Sequence, residues 1–135
     1  MASDFTVVIG TRQGFGNEPA YLTGMEPNVP FVGSTKTFAF SCPNVNPTET
    51  AILMFQSRDV NLTKNVLSVN GIDIPGGIPV SPSKDTWNGN VMLINAGVLR
   101  SSNELLVGSR NAAGHVAGDL DDFILDNVVV MYKTL

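Results

Sequence analysis

The chain has little charge, little sulfur and no long apolar run, and each shortage excludes a class of protein. Of 135 residues only 15% are charged, against roughly 25% in an ordinary soluble domain, so a charged disordered chain is excluded. The single cysteine, Cys42, cannot form an internal disulfide, and the fold is not built on disulfides. The single histidine, His115, is too few for a zinc site made of several His and Cys ligands. No G-x-S-x-G elbow accompanies it, so a Ser–His–Asp hydrolase has no support, and nothing supports a Cys42–His115 pair. The 8 Lys and Arg residues are scattered within a net charge of −4, which leaves no basic stripe for nucleic acid. The longest apolar runs, Ala51–Phe55 and Val128–Tyr132, are far too short for membrane insertion. No segment of ten or more residues keeps a helical apolar stripe, which excludes a helical bundle. The first residues lack a basic n-region and a long apolar stretch. The reading is therefore no classical signal peptide, and a cytoplasmic or non-classically exported protein.

What is present is strand periodicity punctuated by turns. Phe5-Thr6-Val7-Val8-Ile9 is rich in β-branched residues and ends at Gly10. Residues 11–30 are polar, with Gly and Pro, and read as a long loop with one short strand near Tyr21. Gly10 to Gly16 is glycine-rich but lacks the Lys-Ser/Thr of a phosphate loop. Thr37–Ser41 alternates, with both Phe on one face, while Ala51–Ser57 is apolar on both faces, as a central strand must be. Val66–Val69 runs into Asn70-Gly71, a strong hairpin signal, with Ile72–Ile74 returning. Asn88-Gly89 reads as a second tight turn. Val91–Ile94, Glu104–Ser109 and Phe123–Tyr132 complete the set, with Asp126-Asn127 marking a bulge in the last strand. About eight short strands without helices predict an all-β fold, an antiparallel β-sandwich in which two sheets pack face to face. Residues 1–135 form one domain: an N-terminal strand plus long loop over 1–36, and a core over 37–133.

The order Val69-Asn70-Gly71, Trp87, Gly97-Val98-Leu99-Arg100 and Asn103-Glu104-Leu105-Leu106-Val107, closing on Asp121 to Val130, resembles the galactose-binding-like jelly roll. The likeness covers roughly residues 37–133, and residues 1–36 match no named pattern. It implies a jelly-roll sandwich of the kind found in carbohydrate-binding modules, whose members often carry a structural Ca²⁺.

Several side chains are candidates for chemistry. Trp87, in a polar loop with Asp85, Asn88 and Asn90, reads either as a stacking platform for a sugar ring or as a cap on the sandwich core. Arg58-Asp59 and Arg110-Asn111 each follow an apolar strand directly. They share a rim if those strands run the same way, where they would bind hydroxyls or tie loops together. The acidic cluster Asp119, Asp121, Asp122 and Asp126 offers oxygens to a hard cation such as Ca²⁺, or forms a solvated turn before the closing strand. Neighbouring carboxylates on a strand point to opposite faces, which argues against a glycosidase pair at Asp121/Asp122. The expectation is a non-catalytic carbohydrate-binding module or small lectin that binds a carbohydrate or glycoconjugate through rim loops and gains avidity as a homo-oligomer. The alternative is a structural, assembly or adhesion protein that uses the sandwich as a building block and residues 11–30 as an arm.

Overall fold

Val128, Val130 and Tyr132 alternate with Val129, Met131 and Lys133, and this period of two makes the end of the chain a strand with one face turned to a core. In the computed structural model, which describes residues 1–135, that strand is the centre of the larger sheet. The elements in chain order are β1 (Ser3–Ile9), β2 (Gln13–Phe15), α1 (Pro19–Met25), β3 (Phe31–Gly33), β4 (Thr35–Ser41), β5 (Ala51–Arg58), β6 (Val66–Val69), β7 (Ile72–Asp73), β8 (Asn88–Ile94), β9 (Ser102–Gly108) and β10 (Phe123–Lys133).

Two sheets face each other. The larger has the order β3-β2-β10-β5-β8, with β1 pairing β10 beyond the short β2; the smaller is β4-β9-β6-β7. All pairings are antiparallel except β2 with β3. A single cluster of 23 buried apolar residues fills the space between the sheets, among them Leu53, Phe55, Leu105, Val107, Phe123 and Val130. The protein is an all-β sandwich.

The predicted register devices are present. Asn70 and Gly71 have φ of 53° and 80°, and Val69 pairs with Ile72 across them, as a two-residue hairpin with both φ positive requires. The β10–β5 register slips between Asp126 and Val129 around Asn127 (φ 49°), which is the bulge. β5 lies between β10 and β8, the central place its two apolar faces call for.

Three expectations are corrected. Asn88-Gly89 makes no turn: the pair opens β8, with Gly89 opposite Gln56. The strands number ten, because β2 and β3 arise inside the segment read as loop. Tyr21 lies on a helix, α1, with Pro19 in its first turn. Seven residues are too few to show a helical stripe. Residues 11–30 are thus no free arm: they fold back on the larger sheet. There Leu22, Val29 and Ile124 form a second small core, with Met25, Phe31 and Trp87 packed on it. Ile124 lies between Phe123 and Leu125, which face the main core, so this second core sits on the sheet's outer surface. A Cβ on Gly14 would come to 3.0 Å from the end of the Leu22 side chain, so a glycine there leaves Leu22 room to pack closely on β2.

Candidate functional site

β5 and β9 both run toward the end of the sandwich where β10 begins, so the loops that follow them share a rim. Asp121 ties these loops together. Its buried carboxylate accepts N–H bonds from Asn61 (3.0 Å), Leu62 (2.9 Å) and the Asn65 amide (2.8 Å). Its own N–H donates to the Arg110 carbonyl at 3.1 Å, and its carbonyl accepts the Ser109 hydroxyl. Burial pushes the Asp121 carboxyl above the usual carboxylate range, against the downward pull of the three donors. Asp122 does the same for the start of α1. Its Oδ1 accepts the N–H groups of Asn17 and Glu18, both at 2.9 Å. Gly16 (φ 134°) makes this possible, since a Cβ there would lie 1.9 Å from that oxygen.

Tyr21 is displayed on this frame. Asp59, only 1% exposed and at φ 60°, accepts the Tyr21 hydroxyl and the Asn61 amide. The hydrogen bond to Asp59, and burial after it, push the Tyr21 hydroxyl up to about 12. Tyr21 is nonetheless 42% exposed. It stands between two open hollows. The smaller, about 230 Å³, is lined by Glu18, Asn61, Asp119, Asp121 and Asp122 beside Tyr21. The larger, about 520 Å³, is lined by Ala20, Met25, Arg58, Lys84 and Asp85 beside Tyr21. Arg58 is held in place by donating to the Lys84 carbonyl (2.9 Å) and to Glu26 (3.2 Å).

The sequence-derived candidates therefore divide. Arg58, Asp59 and Asp85 come together around Tyr21. Trp87 is half-buried against the second core, with the Arg12 guanidinium 5.2 Å from its ring centroid, so one indole face is already covered. Asn88 sits in β8 opposite Ser57. Arg110 reaches the same rim, but its guanidinium turns back to Thr35 (2.9 Å) and the Ser109 carbonyl (2.8 Å). Asn111 organises its own loop: it accepts from the N–H groups of Ala113 and His115 and donates to the Ala117 carbonyl. Arg58 and Asp59 form no bridge with each other; Arg58 pairs with Glu26.

The acidic residues do not converge as a calcium set of four. Asp126 is paired with Arg12 (3.3 Å), Asp121 is taken up by N–H donors, and no group of three or more His, Cys, Asp or Glu side chains is arranged to hold a metal. Cys42 is fully buried at the opposite end of the sandwich, beside Ser101, and burial pushes its thiol up to about 11. His115 is exposed in the rim loop, so the two make no pair.

Tyr21 is the residue that sequence reasoning missed. The Pro19 start followed by Leu22 and Met25 at helical spacing was the available signal. No protein-family model matches the chain, and no curated protein matches it either.

Proposed function

We propose that the chain is a non-catalytic, galactose-binding-like jelly-roll domain that binds carbohydrate at the Tyr21 rim. The observation that supports this reading is one exposed aromatic ring, fixed through its hydroxyl by a buried carboxylate, between two polar hollows. A sugar presents an apolar C–H face and a hydroxyl edge. A ring held in place can stack on the first, while Asp85, Asn61 and Lys84 exchange hydrogen bonds with the second. Arg58 is partly spent on Glu26 and Lys84, and it stiffens the wall. Carboxylates line the smaller hollow, so neutral glycans are favoured over sialylated or phosphorylated ones, which meet like charge.

A glycan microarray tests this. Wild type retains neutral glycans, and Tyr21→Leu does not. Retention of no glycan, or retention unchanged by Tyr21→Leu, overturns the reading. The same array run with and without EDTA tests calcium dependence on the same samples.

A further inference from the structure

The outer surface of the larger sheet carries a second feature, independent of the rim. Cross-strand pairing sets Phe5, Met131, Ile52 and Leu93 side by side across β1, β10, β5 and β8. The next row, two residues along, is Val7, Val129, Met54 and Val91. Eight apolar side chains thus make a block of four strands by two rows, with no ionisable group in it. Six of them are between 37% and 69% exposed. The outer face of the smaller sheet is mixed: Thr35, Thr37, Ser41, Ser102 and Glu104 are exposed beside Ala39, with Leu106 and Val66 half-buried among them. Toward the rim the block ends at a polar border: Asn127 donates to Gln56 at 2.7 Å, and the ion-paired series Asp126–Arg12–Glu26–Arg58 follows. Beyond that border, α1 covers the sheet. At the block itself nothing does.

We propose that a second copy of this chain covers the block, sheet face against sheet face, in a two-fold dimer. The area fits. Six of its eight side chains are more than a third exposed, which makes a contiguous apolar patch on the scale of the largest one a monomer ordinarily carries, roughly 300–600 Å² and often functional. A patch on that scale is about half of the ~800 Å² each partner contributes to a standard interface, the share expected of an apolar centre inside a polar rim. Polar neighbours on the same face, Ser3, Gln56, Asn127 and Lys133, supply such a rim. Rows of aliphatic side chains on a pleated sheet interdigitate with like rows about 10 Å away, as the two sheets of one sandwich already do. A two-fold axis needs only a self-complementary patch, and an uncharged block meets its own copy without like-charge contact. Charge disfavours the other apolar occupant: with no Lys or Arg in the block and a net charge of −4, an anionic lipid surface is repelled.

Sedimentation equilibrium of the full chain across micromolar concentrations tests the proposal. Wild type has twice the 14.4 kDa chain mass, and Val91→Glu raises the dissociation constant about thirty-fold or more, as loss of a central contact does. Phe5→Ser, on another strand, weakens the dimer as well, whereas Val116→Glu, in the rim loop, leaves it intact. Far-ultraviolet spectra of the variants match wild type. A monomer at every concentration overturns the proposal, as does a dimer that survives both Val91→Glu and Phe5→Ser. Flotation of wild type with anionic vesicles would name a lipid as the occupant and overturn it too. Sugar binding by the separated monomer is unaffected by any of these results, so the rim reading stands or falls on its own.

Discussion

The outer face of the larger sheet is apolar at both ends but finished at only one. Near the rim, Ile124 is covered by Leu22 and Val29, and the covering segment returns through β3. Past the Asp126–Arg12–Glu26 border, Phe5, Ile52, Val91 and Leu93 face outward with nothing over them. The same sheet, with the same alternation, carries two solutions. Where the chain supplies its own cover, the cover also displays Tyr21 as a fixed ring above polar hollows. Where it supplies none, the apolar surface stays exposed. Burial of a sheet face and display of Tyr21 are therefore linked at one end, and the other end has neither.

Substitutions rank along this difference. Leu22→Ala empties the fully buried anchor of α1 and costs about 2–5 kcal/mol in urea unfolding. Asp121→Ala leaves three N–H donors at the rim without their acceptor, the Asn65 amide buried and those of Asn61 and Leu62 part-buried, and costs about 1–3 kcal/mol by the same measurement. Arg12→Ala removes the pairs to Glu26 and Asp126 and the contact with Trp87 at the border, for about 1 kcal/mol, since Arg12 is half exposed. Val91→Thr, in the bare block, changes monomer stability by no more than about 0.5 kcal/mol, measured in dilute solution. Equal costs for Leu22→Ala and Val91→Thr would erase the distinction between the two ends.

Titration gives a further check on the covered end. The folded-state shift of Tyr21 is upward, so its contribution to stability is complete below pH 10 and is lost as pH rises toward about 12. Tyr132 is raised as well, by burial. Both tyrosines therefore ionise above the roughly pH 10 of an ordinary tyrosine, and tyrosinate absorbance develops later in the folded chain than in the unfolded one. Asp121 is also raised, so its cost to folding is absent below the ordinary carboxylate range and grows as pH climbs through its folded value.

The sandwich was legible because its signals are local and repeated. Alternation in β4 and β10, two apolar faces in β5, and Asn70-Gly71 each state their structure within a few residues. The shared rim was legible too, from polar pairs placed directly after apolar strands. The covered end was not, because α1 has seven residues and its apolar stripe amounts to Leu22 and Met25. Gly14 and Gly16 stood in the sequence only as part of a glycine-rich stretch without a phosphate-loop motif, whereas a Cβ at Gly16 would strike the Asp122 carboxylate and one at Gly14 would press on Leu22. Trp87 drew attention as the one tryptophan, yet Arg12, distant in sequence, covers its ring. The bare block was hidden for a related reason: its rows exist only once four strands are in register.

The most direct test of the rim reading compares Tyr21→Phe with Tyr21→Leu by calorimetric titration of a neutral glycan. Both variants lose the bond to Asp59 and share that stability cost, but only the first keeps an aromatic ring. The ring predicts that Tyr21→Phe binds about tenfold more tightly than Tyr21→Leu; equal affinities would show that no sugar stacks on residue 21.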